Sequence, residues 1–154
     1  MEPRIVGVYE PGEYYDACST RPSYDPREII LGMSDRQFEL FVGSVLYEMG
    51  YEDVTVTQRT RDGACDFTAV DRRNGIQNYV IGECKHYSTR NKVSEDVIRK
   101  LHDAQYQQHA NTAIVVTSST FTRDARMRAD EYRMTLWDID DLLYYGKHLL
   151  SDYV

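Results

Sequence analysis

Two short segments decide the fold: residues 62–67, with the sequence DGACDF, and residues 79–85, with the sequence YVIGECK. Each carries apolar residues in a pattern typical of β-strands, and the polar residues 71–75 (DRRNG) between them contain the glycine of a turn. We therefore predict a β-hairpin or a β-meander in this part of the chain.

The two predicted strands bring charged side chains together. Because alternate side chains of a strand share a face, Glu83 and Lys85 project to one side and Cys84 to the other. Asp66 lies on the preceding strand, where pairing would set it opposite Glu83. Placing two carboxylates and an ammonium on one sheet face costs free energy, unless the groups have a function or a counter-ion. The cluster is therefore either a site for a divalent cation or a partly buried group of ion pairs.

Composition excludes several other classes of protein. The chain has 154 residues, of which 42% are hydrophobic and 28% charged, as expected of one ordinary globular domain. We expect no transmembrane helix, since no apolar run approaches about 18 residues, and no signal peptide. The three cysteines lack CxxC spacing, which favours a reducing compartment over disulfides or a zinc site. The net charge of −7 means that any basic surface must be local.

The chain divides into two parts at about residue 32. All four prolines lie in residues 1–32, which also have irregular polar spacing. We interpret residues 1–32 as an N-terminal extension that packs on the domain or links it to something else, with one short strand at residues 4–9. Residues 33–154 form the predicted domain.

Hydrophobic periodicity and caps give the order of elements in this domain. Ser34 opens a helix in a capping box, and Gly50 ends it. Three strands follow, at residues 54–57 and in the two segments quoted above. The remaining elements are a helix at 93–108 with Ser94 as its cap, a buried strand at 113–117, a helix capped by Thr122, a strand at 135–137 and a helix that begins at Asp138 or Asp140 and ends at Gly146. The predicted fold class is α/β, with a mixed sheet flanked by helices.

Glu39 has two interpretations. It falls at the edge of the apolar stripe of the first helix, beside Leu46. It is either a solvated border residue or a carboxylate aimed at the site.

The clustered residues suit metal-assisted hydrolysis of a phosphodiester. Mg²⁺ prefers hard oxygen ligands, which Asp66 and Glu83 can supply, with the backbone carbonyl of Cys84 as a third. Lys85 beside these carboxylates should stay protonated, so we assign it to orienting water and stabilising charge. Glu39 could hold a second metal ion or a water.

The ordered sequence blocks resemble the Mrr-like restriction endonucleases of the PD-(D/E)xK nuclease superfamily. The resemblance covers about residues 34–145 and rests on residues 49–51 (MGY), 60–63 (TRDG), 66, 83–87 (ECKHY), 91–93 (NKV), 98–101 (IRKL), 116–122 (VTSSTFT) and 136–138 (LWD). Two departures are Glu83, where many relatives have Gln, and Ala64-Cys65, where relatives tend to have Gly and an aliphatic residue. Neither removes a ligand.

The resemblance implies a restriction-endonuclease-like α/β sandwich and a metal-dependent DNA endonuclease that leaves a 5′-phosphate. The implied cofactor is Mg²⁺, for which Mn²⁺ substitutes, and the implied role is restriction, defence or DNA processing. The implied location is the cytoplasm of a prokaryotic, archaeal or viral system. The implied catalytic residues are Asp66, Glu83 and Lys85, with Glu39 from the helix.

Further residues are candidates for auxiliary and DNA-binding roles. Gln105 or Gln107 could reach the site from the second helix, as a glutamine does in some relatives. Ser118 could donate to a phosphate or simply end a strand. The candidates for basic phosphate contacts are Arg59, Arg61, Arg90, Lys92, Arg99 and Lys100.

Other functions stay open at the level of sequence. The chain could be a DNA-binding or assembly module that keeps the fold without catalysis. It could also be a Holliday-junction-resolvase-like nuclease or a nuclease that acts on RNA. The expected partner is DNA and not a membrane, with a homodimer, or a further protein or domain that contacts residues 1–32, as additional possibilities.

Overall fold

The computed structural model describes residues 24–57 and 65–154, which form a five-stranded sheet with helices on both faces. No helix in these ranges is long and apolar enough to span a membrane. In chain order the elements are α1 (Pro26–Leu31), α2 (Asp35–Glu48), β1 (Glu52–Val56), β2 (Phe67–Asp71), β3 (Asn78–Lys85), α3 (Glu95–Gln107), β4 (Thr112–Thr117), α4 (Arg123–Tyr132), β5 (Thr135–Trp137), α5 (Ile139–Gly146) and a 3₁₀ helix (Lys147–Tyr153).

The sheet is mixed, and its order follows the sequence, β1-β2-β3-β4-β5. The pairs β1–β2 and β2–β3 are antiparallel, whereas β3–β4 and β4–β5 are parallel. One face packs on α2 and α5 through a core that includes Phe38, Phe41 and Val116. The other face packs on α3 and α4 through a core that includes Ile98 and Val115. The predicted α/β class is confirmed.

Local capping signals decide where most helices begin and end. Ser34 opens α2 with the predicted capping box, and Gly50 follows its end with a φ of 98°, a conformation that favours glycine. The Thr122 side chain accepts from the backbone of α4. Asp138, rather than Asp140, caps α5.

Two short helices at the ends of the described chain were not predicted. Asp25 caps α1, in which Pro26 occupies the first position, and Ile30 of this helix is fully buried in the same core as α2. The last part of the predicted extension is therefore packed on the domain, while the boundary at residue 33 stays a prediction. The strand predicted at residues 4–9 lies outside the described residues.

The helix predicted from residue 93 begins two residues later, because Val93 pairs with another loop. The Val93 N–H donates to the Thr120 carbonyl, and the Thr122 N–H donates to the Val93 carbonyl. Ser94 occupies the N-cap position of α3 but makes no capping hydrogen bond through its side chain. This pairing joins the loop after β3 to the loop after β4, at the carboxyl ends of these two strands.

Candidate active site

The pairing of β2 with β3 places the two predicted carboxylates on one face of the sheet. Phe67 is opposite Gly82, and the Asp66 N–H donates to the Gly82 carbonyl at 2.8 Å. The same register sets Asp66 opposite Glu83, and opposed residues of an antiparallel pair share a face. The predicted juxtaposition of Asp66 and Glu83 is confirmed, although β2 itself begins one residue after Asp66.

Just before the start of β2, the side chain of Asp66 bonds to the backbone of β3. Its Oδ2 accepts a hydrogen bond from the Cys84 N–H at 2.8 Å. Within a strand the N–H and C=O of one residue point to the same side, so the Cys84 carbonyl points toward Asp66 as well. This orientation suits the predicted role of that carbonyl as a third oxygen ligand.

Lys85 forms an ion pair with Glu83 on the same face. Its Nζ lies 2.9 Å from Glu83 Oε1, and both side chains are partly buried. Burial alone would lower the pKa of Lys85, but the hydrogen bond and charge of Glu83 outweigh it, so the pKa is raised. The raised pKa supports the prediction that Lys85 stays protonated. Burial raises the pKa of Glu83, the hydrogen bond from Lys85 opposes this rise, and the adjacent Asp66 charge adds to it.

Glu39 is buried beside Lys85, at a cleft that does not include Asp66 or Glu83, rather than solvated at a border. The residue is 4% exposed, and its Oε2 lies 3.0 Å from Arg36 Nη1. It lines a cleft of about 160 Å³ between the start of α2 and the end of β3. The residues around this cleft are Asp35, Phe38, Glu39, Cys84, Lys85, His86 and Tyr87. The interpretation of Glu39 as a solvated border residue is therefore wrong.

The two described thiols near the site are structural. Cys84 packs against the core beneath α2, on the face opposite Lys85. Burial raises the pKa of Cys84 well above its usual value, and the charges of Asp66 and Glu39 raise it further. Burial likewise raises the pKa of Cys65, with contributions from the nearby carboxylates. Because the thiolate is the reactive form, neither group is suited to be a nucleophile.

Asp66 and Glu83 could serve a cation that needs few protein ligands. Among the described residues no three His, Cys, Asp or Glu side chains are clustered for metal binding. Mg²⁺, however, commonly uses one or two carboxylates and keeps several waters. The repulsion between Asp66 and Glu83, which contributes to the raised pKa of Glu83, is what a divalent cation would relieve.

The end of β3 is locked to β4 by hydroxyl groups. Thr117 Oγ1 donates to the Lys85 carbonyl at 2.7 Å, and Ser118 Oγ donates to the Tyr87 carbonyl at 2.7 Å. Ser118 is fully buried. The predicted contact between Ser118 and a phosphate is therefore wrong, because its hydroxyl is inaccessible and satisfied within the protein.

The predicted auxiliary glutamines are engaged or placed elsewhere. The Gln105 side chain donates to the carbonyls of Ala110 and Asn111, where it holds the turn between α3 and β4. Gln107 is exposed at the end of α3. A different glutamine approaches the site, since Gln108 Oε1 lies 4.0 Å from the thiol of Cys65, the residue before Asp66.

The predicted basic contacts separate into three groups. Arg59 and Arg61 lie outside the described residues. Arg99 is exposed but forms an ion pair with Glu95 at 2.9 Å. The remaining predicted cations, all exposed and without an ion pair to any described residue, are Arg90, Lys92 and Lys100.

Sequence reasoning missed Arg123, a further exposed cation at the start of α4. It is the first residue of α4, directly after the segment that Val93 ties to the loop of Arg90 and Lys92. Like them it is exposed and has no ion pair to another described residue. The signal in the sequence was its place after the Thr122 cap, whereas the contact between the two loops became visible only in the structure.

Comparisons with known proteins agree with this fold. The sequence model of the Mrr_cat restriction endonuclease family matches residues 30–145. The DNA modification-dependent restriction endonuclease AspBHI superposes with a TM-score of 0.63 at 19% identity, over 84% of this chain and 35% of its own. The MspJI restriction endonuclease, solved with a 27-mer oligonucleotide, superposes with a TM-score of 0.60 at 18% identity, over 83% and 33%. The chain thus spans about a third of the length of either protein. Among curated proteins none matches it significantly.

Proposed function

Because the chain belongs to the Mrr_cat restriction endonuclease family, we propose that it is a DNA endonuclease that hydrolyses phosphodiester bonds and leaves a 5′-phosphate. The observation that carries the proposal is the placement of Asp66, Glu83 and Lys85 on one face at the carboxyl end of β3. The family match covers 116 of the 154 residues, from 30 to 145 inclusive, and includes all three.

The cofactor in this proposal is Mg²⁺, with Mn²⁺ as a substitute. Asp66, Glu83 and the Cys84 carbonyl would hold it, a proposal supported by the pairing that sets Asp66 opposite Glu83 and by the bond from the Cys84 N–H to the Asp66 carboxylate. When bound, such a cation supplies a water of lowered pKa and positive charge beside the phosphate. Glu83 would bind the cation as a carboxylate, so cation binding and protonation of Glu83 would oppose each other.

The protein's own groups would position the reactants. Lys85 keeps its proton and can donate to the attacked phosphate or to the attacking water. Glu39 lines a cleft beside Lys85 from α2, and its carboxylate would accept from that water. A protonated Lys85 cannot itself act as the general base, which separates the two roles.

The DNA-binding surface in this proposal lies at the carboxyl ends of β3 and β4. Arg90 and Lys92 are exposed on the loop that follows β3, and Arg123 is exposed at the start of α4, after the loop that follows β4. Cations at this edge would contact phosphates on either side of the scissile bond, which positions a duplex without reading its sequence. Arg59 and Arg61 remain candidates from the segment before Asp66. A second copy, or a protein or domain that contacts residues 1–32, would enlarge this surface.

A cleavage assay tests the proposal. Plasmid and linear duplexes are incubated with Mg²⁺, with Mn²⁺ and with EDTA. Methylated DNA joins the substrates because AspBHI is described as modification-dependent, and single-stranded DNA, branched DNA and RNA separate the alternative nuclease classes. We expect cleavage with either metal and none in EDTA, with 5′-phosphate ends that a ligase accepts.

Matched variants assign the activity to the site. Asp66→Asn and Lys85→Met should abolish cleavage, while Asp71→Asn, the same change at the other end of β2, should retain it. Equal circular dichroism spectra would show that the inactive variants are folded. Cleavage by Asp66→Asn, or full activity in EDTA, would refute the proposal. DNA binding without cleavage of any substrate would favour a non-catalytic binding module.

A further inference from the structure

Thr57, directly after β1, forms hydrogen bonds to the backbone of Asp66. Its N–H donates to the Asp66 carbonyl at 2.8 Å, which extends the β1–β2 ladder by one pair. Its hydroxyl oxygen lies 2.8 Å from the Cys65 carbonyl oxygen and 3.0 Å from that of Asp66, so its proton can be donated to either. Together with the bond from the Asp66 N–H to Gly82, these contacts hold Asp66 from two neighbouring strands.

Arg36 connects Thr57 to Glu39, the buried carboxylate of α2. Its Nη1 lies 2.8 Å from the Thr57 carbonyl oxygen and 3.0 Å from Glu39 Oε2. One guanidinium nitrogen therefore joins the end of β1 to Glu39. The contacts run without a break from Glu39 through Arg36 and Thr57 to Asp66, and then through the Asp66 carboxylate to the Cys84 N–H.

We propose that Thr57 and Arg36 are positioning residues, which set the carboxylate of Asp66 relative to Glu39 and the end of β3. The inference rests on the proposed function for its catalytic consequence, but the positioning itself is a property of the protein alone. Asp66 lies just outside β2. Backbone hydrogen bonds to the neighbouring strands hold its N–H and C=O but do not hold its carboxylate. Hydrolytic sites tolerate displacements of well under 1 Å, so such a residue needs added support.

The Cys84 amide reports the position of Asp66 without any metal or DNA. Because it is bound by the Asp66 carboxylate, its proton chemical shift and exchange rate depend on that hydrogen bond. We expect Thr57→Val, which keeps the shape but removes the hydroxyl, to shift this resonance and to speed its exchange about 10-fold or more. Thr57→Ser, which keeps the hydroxyl, should restore both.

Thr55→Val provides the matched control on the same strand. The Thr55 hydroxyl lies 3.4 Å from the carbonyl of Asp53, within β1 and away from Asp66. This variant should leave the Cys84 amide unchanged. If Thr57→Val unfolds the protein, Thr57→Ala carries the same test, since it also lacks the hydroxyl.

The catalytic consequence is measured separately. In Thr57→Val the metal concentration for half-maximal cleavage should rise, and kcat should fall by about 10- to 100-fold. The melting temperature of Thr57→Val should equal that of the control variant Thr55→Val. Arg36→Gln should lower kcat with a smaller change in metal requirement, because Glu39 is not among the proposed ligands. Arg72→Gln, which alters an exposed arginine paired with Glu52, should change neither quantity.

The outcomes separate the inference from the proposed function. An unchanged Cys84 amide in Thr57→Val, or failure of Thr57→Ser to restore it, would overturn the positioning role. Wild-type activity in Arg36→Gln would remove Arg36 from it. If the amide responds as expected while the wild-type protein cleaves no substrate, the positioning stands and the nuclease function fails.

Discussion

The charges at the site depend on spacing within one strand. Lys85 and Glu83 are two positions apart, so they share a face, and their ion pair keeps the ammonium protonated despite its burial. Asp66 is placed by the neighbouring strand and raises the pKa of Glu83. Two carboxylates that repel each other, Asp66 and Glu83, thus lie on one face with the ammonium of Lys85. This arrangement suits a site completed by a cation, because a bound cation would satisfy both acids at once.

A second pair of charged residues, remote from the site, gives a pH-dependent contribution to stability. The Asp71 carboxylate accepts from the Arg73 backbone N–H at 3.1 Å and from its guanidinium at 2.9 and 3.0 Å. These side-chain hydrogen bonds lower the pKa of Asp71, against the smaller effect of burial. A lowered folded-state pKa gives stability that is present above the unfolded pKa of about 3.9 and is lost as the pH falls through the folded one.

Asp71→Asn should therefore destabilise the protein near neutral pH but not in acid. We expect a loss of about 1 kcal/mol or less at pH 7, since the partner guanidinium is 44% exposed and screened by solvent. Urea denaturation at several pH values measures it, with the exposed Asp103→Asn as the control. A difference between wild type and variant that stays constant down to about pH 2, well below the unfolded pKa, would contradict the assignment.

At this scale the sequence predicted the residues that strand alternation controls. Asp66, Glu83 and Lys85 follow from the period of two and one pairing. Ser118 did not, because a hydroxyl at the end of an apolar strand looks the same whether it is buried or exposed. Thr57 and Arg36 were missed because their importance comes from hydrogen bonds to backbone carbonyls distant in the chain, which leave no mark on composition or periodicity.

Among the elements, the β2–β3 pair depends on a glycine directly beneath a phenylalanine. A Cβ added to Gly82 would lie 1.8 Å from Cζ of Phe67, the residue paired with it. Phe67 is 1% exposed and cannot move outward without opening the core under α2. The absence of a side chain at Gly82 therefore lets the ring cross the strand that carries Glu83.

Gly82→Ala should lower the free energy of unfolding by about 1–3 kcal/mol, the usual cost of overpacking, or by more if the strands separate. Adding Phe67→Leu should recover part of this loss, because it removes the atoms that clash. Chemical denaturation of both single variants and the double variant gives the interaction energy. Strictly additive losses would show that the ring and the glycine are not in conflict.

Caps and periodicity predicted the long elements well and the short ones poorly. Ser34, Thr122 and Asp138 cap helices by hydrogen bonds within a few residues, so local sequence is enough. Helix α1 has only six residues and is stabilised by burying Ile30, a tertiary contact. The start of α3 was placed too early for the same reason, since Val93 pairs with a distant loop.

For the whole molecule, the acidic charge and the proposed substrate are in apparent conflict. The net charge of −7 should repel DNA at long range. Many of the described arginines are neutralised by nearby carboxylates, as Arg99 and Arg128 are by Glu95. The described cations without such partners include Arg90, Lys92 and Arg123, which lie in or directly after the two loops that follow β3 and β4, and the Val93–Phe121 pairing joins these loops.

DNA binding should therefore depend on salt through a few local contacts. Each phosphate neutralised releases counterions, so log K falls with log[salt] at a slope of about −0.9 per contact, and about 3–5 contacts are expected of a domain of this size. Fluorescence anisotropy of a labelled duplex at several salt concentrations measures the slope. Lys92→Gln and Arg123→Gln should each reduce it by about one. Lys147→Gln, in the 3₁₀ helix, is the control and should leave it unchanged.

The same titration with Ca²⁺ links this surface to the carboxylates. Without a cation, Asp66 and Glu83 should repel the phosphates that Arg90, Lys92 and Arg123 are proposed to attract. Ca²⁺, a hard cation with oxygen ligands, should occupy the site and raise DNA affinity. Asp66→Asn should abolish the rise while keeping the salt slope, because the basic edge is intact. Binding insensitive to both salt and Ca²⁺ would mean that the site does not face DNA, since a duplex across β3 must meet both sets of charges.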